Sequence, residues 1–427
     1  MLWPSVVVGS VAFGETCPAP PDLASVDTHV QQADATFRRL ARREPTAHWE
    51  SAPMGWVNAQ TLGVRGDGRS DDTAALGAAL AMGKKVWLPG PRVYRISSRL
   101  DLASGAGLAS NGKATLWMAA EGFTNTRAAR SDDALYGSTG VGLRITGSDI
   151  QVRGIHIVNE RIEDRFTAAI DVRAASDVEL RGLRVQGFGL SPGIVTIRSS
   201  HRVLVTESLI QSACSASHTV PADVPSFQIT GVSIDDSRVY GVSSQSVSIT
   251  NNVIANLRIV PRTVRGDQTD GVHFAGVRTA TRSSVEDNVI CGVDEGIDIF
   301  GADISVVRNH IAGRSLAIKV IHGASGIHIE DNDMWAGRIA AVGIYRGSRS
   351  DRSDVVKGVL ITGNRISSGA GRAILIDEGE TAPLGVVVAS NSLAHGGDKG
   401  TPPRCIGQRC RENKHLLPAE QAAGACP

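Results

Sequence analysis

From about Gly140 to His395 the chain alternates apolar and polar residues in short runs broken by Gly, Ser, Asp and Asn, the period of two expected of strands. Within this stretch an Asn is followed two residues later by an aliphatic residue or Met at Asn252, Asn288, Asn309, Asn332, Asn364 and Asn391. The steps between them are 36, 21, 23, 32 and 27 residues. A repeat of 21 to 27 residues with occasional insertions suits one coil of a parallel β-solenoid, whereas the hairpins of a β-sandwich do not produce it. The Asn series is expected to form an internal ladder, each amide bonding to its copies one coil above and below.

A second series, apolar-x-apolar, marks the first strand of each coil. It runs through Leu143-Arg144-Ile145, Ile170-Asp171-Val172, Val195-Thr196-Ile197, Val232-Ser233-Ile234, Val272-His273-Phe274, Ile297-Asp298-Ile299, Ile318-Lys319-Val320, Val342-Gly343-Ile344 and Ile374-Leu375-Ile376. The outer members face the core and the middle one is expected to face solvent. Coils stack about 4.8 Å apart, so the middle residues become a surface column in which His273, Asp298 and Lys319 are consecutive. A parallel column two residues on holds Thr146, Arg173, Arg198, Asp235, Ala275, Phe300, Ile321, Tyr345 and Asp377.

Ahead of the coils, Leu23, Val26, Val30, Phe37 and Leu40 recur at helical spacing, predicting an amphipathic helix over 22–44. A short helix over Ala74 to Met82, opened by Asp71-Asp72-Thr73, is placed to cover the open end of the solenoid. Strands follow at Lys85 to Leu88 and Val93 to Ile96, with a Pro-Gly turn between. The predicted organisation is an all-β chain: a signal-like and helical extension over 1–56, one parallel solenoid over 57–396, and a Cys-containing tail over 397–427. A length of 427 residues would otherwise suggest two or three domains.

Composition narrows the function classes. With 44 Lys and Arg against 43 Asp and Glu, bulk charge gives no basis for nucleic-acid binding. No apolar run approaches the ~20 residues of a membrane helix, so no membrane partner is expected. The stretch Val6 to Gly14 reads either as the apolar part of a secretory signal, without a basic residue before it, or as a buried strand. Six cysteines form an even set, in which Cys405 and Cys410 could close a short disulfide loop. Neither Cys-x-x-Cys nor a paired His motif is present, so no metal site is expected from spacing. These features point to a secreted or periplasmic protein.

The chemistry gathers at the middle of the face. Aligning Val272 with Ile297 sets Asp270 beside Glu295, one coil apart, with Asp294 next to it. Two carboxyl groups that close titrate together, one pushed up, which separates a general acid from an ionised base. Thr-Asp-Gly and Asp-Glu-Gly would also serve as turns chosen for backbone reasons. The candidate catalytic set is Asp270, Asp294, Glu295, Asp298 and Lys319, and the candidate substrate-binding set is His273, Arg198, Asp235, His322, Tyr345 and Arg346. Two insertions, Arg258 to Gln268 and Arg346 to Lys357, carry basic residues beside it, including Arg262 and Arg265. A polysaccharide or oligosaccharide bearing carboxylates, such as a uronic-acid polymer, would suit them.

The segment Gly63-Val64-Arg65-Gly66-Asp67-Gly68-Arg69-Ser70-Asp71-Asp72-Thr73-Ala74-Ala75, with Leu88-Pro89-Gly90 and Tyr94-Arg95-Ile96, resembles the opening motif of the pectate-lyase-like superfamily. That resemblance, over roughly 57–396, implies a single-stranded right-handed parallel β-helix with an N-terminal capping helix. Gln268-Thr269-Asp270-Gly271 and Asp294-Glu295-Gly296 resemble motifs of the polygalacturonase-type glycoside hydrolases, with Gln268 where the family has Asn and Glu295 where it has Asp. The family's Gly-His-Gly and Arg-Ile-Lys are absent. The resemblance implies an inverting hydrolase in which Asp294 is the general acid and Asp270 with Glu295 activates water, without a cofactor. The alternative is a polysaccharide lyase or uronate epimerase with Lys319 as base, where Arg346 or a Ca²⁺ held by Asp270, Glu295 and Asp298 neutralises the substrate carboxylate. A third class is a non-catalytic, tailspike-like carbohydrate-binding solenoid.

Overall fold

A computed structural model describes residues 26–45, 49–119, 123, 140–159, 167–188, 193–211, 228–235, 243–257, 268–275, 282–346, 355–369, 372–377, 382–395, 404–406, 410–411 and 414–415. Each coil contributes three short strands, and every strand lies parallel to its counterpart in the next coil. On the first sheet, for example, Gln228–Asp235 pairs with Gln268–Ala275, which pairs with Val289–Ile299, then His310–Val320, then Ala340–Ile344. The result is a right-handed parallel β-helix, single-stranded as predicted.

The core is filled by like residues at like positions. Val232, Val272, Ile297, Ile318, Val342 and Ile374 form one fully buried column, and Ile234, Phe274, Ile299, Val320 and Ile344 another. The Asn ladder is present as predicted. In each step from Asn252 through Asn391, Nδ2 and the backbone N–H donate to Oδ1 of the next Asn at 2.9–3.0 Å. Nδ2 also donates to a backbone carbonyl of the preceding coil, as in Asn309 to Val285 at 2.8 Å. All six side chains are buried with their polar atoms shared along the stack, which removes the cost of placing amides in the interior.

Both predicted helices form. The second, α2 (Thr73–Ala81), places Leu76, Ala79 and Leu80 on the end of the core. Asp72 leaves the helix uncapped and accepts from the N–H groups of Arg65 and Gly66, so its carboxylate closes the preceding loop instead. The first, α1 (Val26–Ala41), lies against the outside of the solenoid. Its Ala33, Phe37 and Leu40 cover Leu209, Val253, Ala255, Cys291 and Ala312 from successive coils, and Asp34 accepts from Arg184 at 2.7 Å. Cys291 beneath this helix is disulfide-bonded. The side chains of Cys405 and Cys410, and the stretch Val6 to Gly14, lie outside the described residues.

Two differences from expectation follow from the stacking. Strands Arg404–Ile406, Cys410–Arg411 and Lys414–His415 pair with the preceding coil, so β-helix structure continues past 396. The middle column of the first sheet points away from the core yet is not solvated: Asp171, Thr196, Asp298 and Lys319 are all buried. Neighbours in the column cover one another, as where Asp171 takes hydrogen bonds from Thr196 at 2.8 Å and Arg144 at 3.2 Å.

Replacing Asn309 with Leu removes donors and acceptors from three coils at once. The expected loss is about 2–4 kcal/mol, because several buried partners are left unmade. Denaturant midpoints should drop accordingly, while His328→Ala, an exposed change in the same coil, stays within about 0.5 kcal/mol of the parent.

Candidate functional site

The coil register brings the central ionisable residues together. Asp270 pairs with Glu295, and His273 with Asp298, which pairs in turn with Lys319. Asp270 and Glu295 sit within the strands Gln268–Ala275 and Val289–Ile299, Glu295 just after a register shift, so they are not turn residues. Only the glycines after them answer to the backbone. A Cβ at Gly271 would stand 2.6 Å from the carbonyl of Gly296, and one at Gly296 would stand 2.4 Å from that of Ala317. Side chains are excluded there, whereas nothing in the stacking requires carboxylates one position earlier.

Oxygens of Asp270, Glu295 and Asp298 lie within 4.8 Å of one another. Lys319 reaches into the trio from the next coil, its Nζ 2.6 Å from Asp298 Oδ2 and in contact with Glu295 Oε2. From the other side Gln268 Nε2 donates to Asp270 at 2.7 Å and Glu295 at 2.8 Å, with Asp298 at 3.4 Å. Asp270 and Asp298 form the buried floor at 0% and 1% exposure, and Glu295 at 9% is the most accessible of the three. The ammonium of Lys319 is the cation of this cluster. An added metal ion would share its coordination sphere with that ammonium, so the trio is not assigned as a metal centre.

Burial pushes all three carboxyls up, and their mutual repulsion adds to it. Glu295 and Asp298 each reach about 7 despite the opposing charge of Lys319. Burial works against charge on Lys319, but Asp298, Glu295 and Asp270 outweigh it and hold the amine well above its ordinary range. Lys319 is therefore an ammonium with no lone pair for proton abstraction, which counts against the expected alternative of Lys319 as base.

The remaining candidates divide into rim, distant and elsewhere. Phe300 stands between His273 and His322, edge-on to each at 5.0 and 4.6 Å. Tyr345 occupies the space left by Gly343, where a Cβ would meet its ring at 2.9 Å, and its hydroxyl is pushed up by burial beside Lys319. Arg346 follows it, with Nε and Nη2 buried and without hydrogen-bond partners among the described residues. Arg198 lies two coils before the strand that carries Asp270, about 10 Å at the stacking distance, and so stands outside the cluster. The side chain of Asp235, residues Arg262 and Arg265 of the basic loop, and 347–354 lie outside the described residues.

Asp294, expected to be the general acid, is oriented differently. The register shifts between Val293 and Glu295, after Gly292 with φ +67°, and Asp294 Oδ1 accepts from Arg314 at 2.7 Å. Its backbone N–H is held by Thr269 Oγ1 at 2.8 Å. Arg314 thus holds Asp294 on the far side of the register shift, apart from the hydrogen bonds that join Asp270, Glu295 and Asp298. Gln268, which the sequence marks only as a motif variant without a role, also enters the cluster. Its place two residues before Asp270, on the same face of the strand, was the available signal.

Residues 255–401 match the family model described as right handed beta helix region. Among curated proteins there is no match. Among solved structures the chain is similar to the Streptococcus pneumoniae surface adhesin PfbA, at 15% identity over 81% of this chain and 80% of that one, TM-score 0.48. It is similar to the A-module of the Azotobacter vinelandii mannuronan C-5 epimerase AlgE4, at 16% over 85% and 100%, TM-score 0.48. It is also similar to an exopolygalacturonase from Thermotoga maritima, at 12% over 85% and 96%, TM-score 0.47. The family-model match agrees with the right-handed parallel β-helix formed by the coils.

The raised carboxyls have a consequence for stability. Between the ordinary Glu value of 4.5 and about 7 the folded chain holds more protons at the cluster than the unfolded chain does. The contribution is fully present below that window and is lost as pH rises through about 7; the upward shift of Lys319 matters only above the ordinary 10.5. The melting temperature should fall from about pH 5 to about pH 8, and fall less in the Glu295→Gln, Asp298→Asn double variant. Calorimetry across that range checks it, and parallel curves for parent and variant would contradict it.

Proposed function

We propose that this chain is a polysaccharide-degrading glycoside hydrolase acting at the Asp270–Glu295–Asp298 cluster on a uronic-acid-containing polymer. The observation that carries the reading is the pair Glu295 and Asp298, adjacent, bridged by Lys319, and both shifted to about 7. Two coupled carboxyls at that value give one protonated and one ionised group near neutrality, as acid–base cleavage of a glycosidic bond needs. Glu295, at the mouth, donates the proton to the leaving oxygen. Asp298 beneath it, ionised, forms the bond to the anomeric carbon as the leaving group departs, and water then breaks that bond while Glu295 takes the water's proton.

The site's cations favour an anionic substrate. Lys319 is taken up by Glu295 and Asp298, and half-buried Arg346, on the next coil, is the rim cation suited to a substrate carboxylate. The disulfide at Cys291 supports a secreted or periplasmic location, where such polymers occur. Among the described residues no helix is long and apolar enough to cross a membrane. The reading needs no cofactor and no nucleic-acid partner. Inverting hydrolases keep their carboxyl groups about 6.5–9.5 Å apart. The trio's oxygens lie within 4.8 Å, so the spacing does not support inversion between these three.

Incubation with a panel of acidic and neutral polysaccharides, followed by product mass analysis, should give new reducing ends without absorbance from an unsaturated uronate. Glu295→Gln and Asp298→Asn should each lower kcat/KM by about 10³-fold or more, and Asp294→Asn by less than about tenfold. An unsaturated product abolished by Lys319→Ala would establish the lyase instead, and binding without any product would leave a carbohydrate-binding solenoid.

A further inference from the structure

We infer that Gln268 is the positioning residue of the cluster, its carboxamide holding Asp270 and Glu295 in register across two coils and thereby fixing the pH range in which the site works. The inference rests on the proposed acid–base reading for its consequence in turnover, but its structural content stands separately.

Three carboxyls crowd one place, and the side-chain groups that donate into them are the ammonium of Lys319 and the amide of Gln268. The two enter from opposite directions. Lys319 comes from the coil after Glu295 and Asp298, whereas Gln268 shares its strand with Asp270 and reaches forward to Glu295. An amide nitrogen carries two hydrogens, and the two short contacts, 2.7 Å to Asp270 Oδ1 and 2.8 Å to Glu295 Oε2, use both. Asp298 at 3.4 Å is the long third contact. With acceptors on this side, the NH₂ end of the amide is the end that must face them.

Along the Asp270–Glu295 column the preceding residue is Thr230 and the following one Leu316. His273 shares the strand of Asp270, with Nε2 4.0 Å from Asp298. Asp294 is engaged by Arg314, and Tyr345 lies beyond Lys319. Gln268 ties Asp270 to its neighbour in the next coil, its two hydrogen bonds together bridging the stacking distance of about 4.8 Å. The length of Gln serves that span, and Asn, one methylene shorter, leaves one carboxyl unheld.

Hydrogen bonds donated to a carboxylate favour its charged form. Gln268 acts in this direction on Asp270 and Asp298, opposing burial. Removing the amide should therefore move the carboxyls further up, so that a group required in ionised form reaches it only at higher pH. Gln268→Glu, of equal length, would replace the donor with a further acceptor and add repulsion.

The test compares the parent with Gln268→Ala, Gln268→Asn and Gln268→Glu. First, carboxyl titrations followed by NMR of ¹³C-labelled Asp and Glu should show the cluster resonances titrating about one unit higher in Gln268→Ala, and higher still in Gln268→Glu. Second, on whichever polysaccharide the parent turns over, the acid limb of kcat/KM should move up by a similar amount in Gln268→Ala. Activity at about pH 6 should then be lost about tenfold and largely recovered at higher pH, with KM little changed. Gln268→Asn should fall between. A uniform loss at every pH, or carboxyl titrations unchanged in Gln268→Ala, overturns the inference. If the parent turns over no polysaccharide, the hydrolase reading fails while the titrations still decide the role of Gln268.

Discussion

The structure depends on one constraint, the parallel register between successive coils. Each backbone strand hydrogen-bonds to the same position one turn later, so residues 21 to 36 apart in sequence become neighbours about 4.8 Å apart in space. The Asn ladder holds that register from within, because an amide displaced by one residue would lose its partners above and below and be left buried without them. The same register puts Asp270 beside Glu295, and Asp298 between His273 and Lys319. Ladder and candidate site are therefore two products of one geometry, one facing inward and one outward.

That geometry explains how the fold tolerates three buried carboxyls at one place. Like charges so close are unfavourable, and burying them adds a desolvation cost that a single ammonium does not cancel. The cluster responds by holding protons, with Glu295 and Asp298 shifted to about 7. The strands that carry it are meanwhile fixed by the Ile and Val columns on their other face and by glycines whose Cβ positions are filled by the next coil's carbonyls. A rigid frame that is stable elsewhere can keep such a group of side chains in a strained electrostatic state, which is the arrangement a preorganised acid–base site requires.

Much of this was legible in the sequence because it repeats. The apolar-x-apolar triplets gave the column order, and Asn252 through Asn391 gave the coil length, so the neighbours of Asp270 and Lys319 followed from counting. What counting did not give is where side chains turn. Asp294 lies next to Glu295, yet the register shift after Gly292 sends its oxygen to Arg314. Gln268 read as a variant of a motif, and its reach across to the next coil appears only once the strands are stacked. Outward-pointing residues such as Asp171 and Asp298 were expected in solvent, but alternation along a strand fixes direction and not exposure. Nor did the amphipathic pattern of α1 reveal its partner, which is an apolar strip assembled from Leu209, Val253 and Cys291 in different coils.

The protonation of Lys319 separates the two chemistries that this fold could support at such a site. A base that removes a proton from carbon must first be a free amine, and an amine reaches that state when burial outweighs nearby negative charge. Here the balance runs the other way, since Asp298, Glu295 and Asp270 together overcome burial. Moving the ammonium's proton away would leave the carboxyls without their cation, at a cost that grows with how deeply they are buried. The carboxyls, by contrast, exchange protons near neutrality while Lys319 keeps its charge throughout. On the proposed reading, the proton for chemistry belongs to Glu295 and Asp298 with Lys319 holding them together, a division of labour that favours protonation of a leaving oxygen over abstraction by an amine.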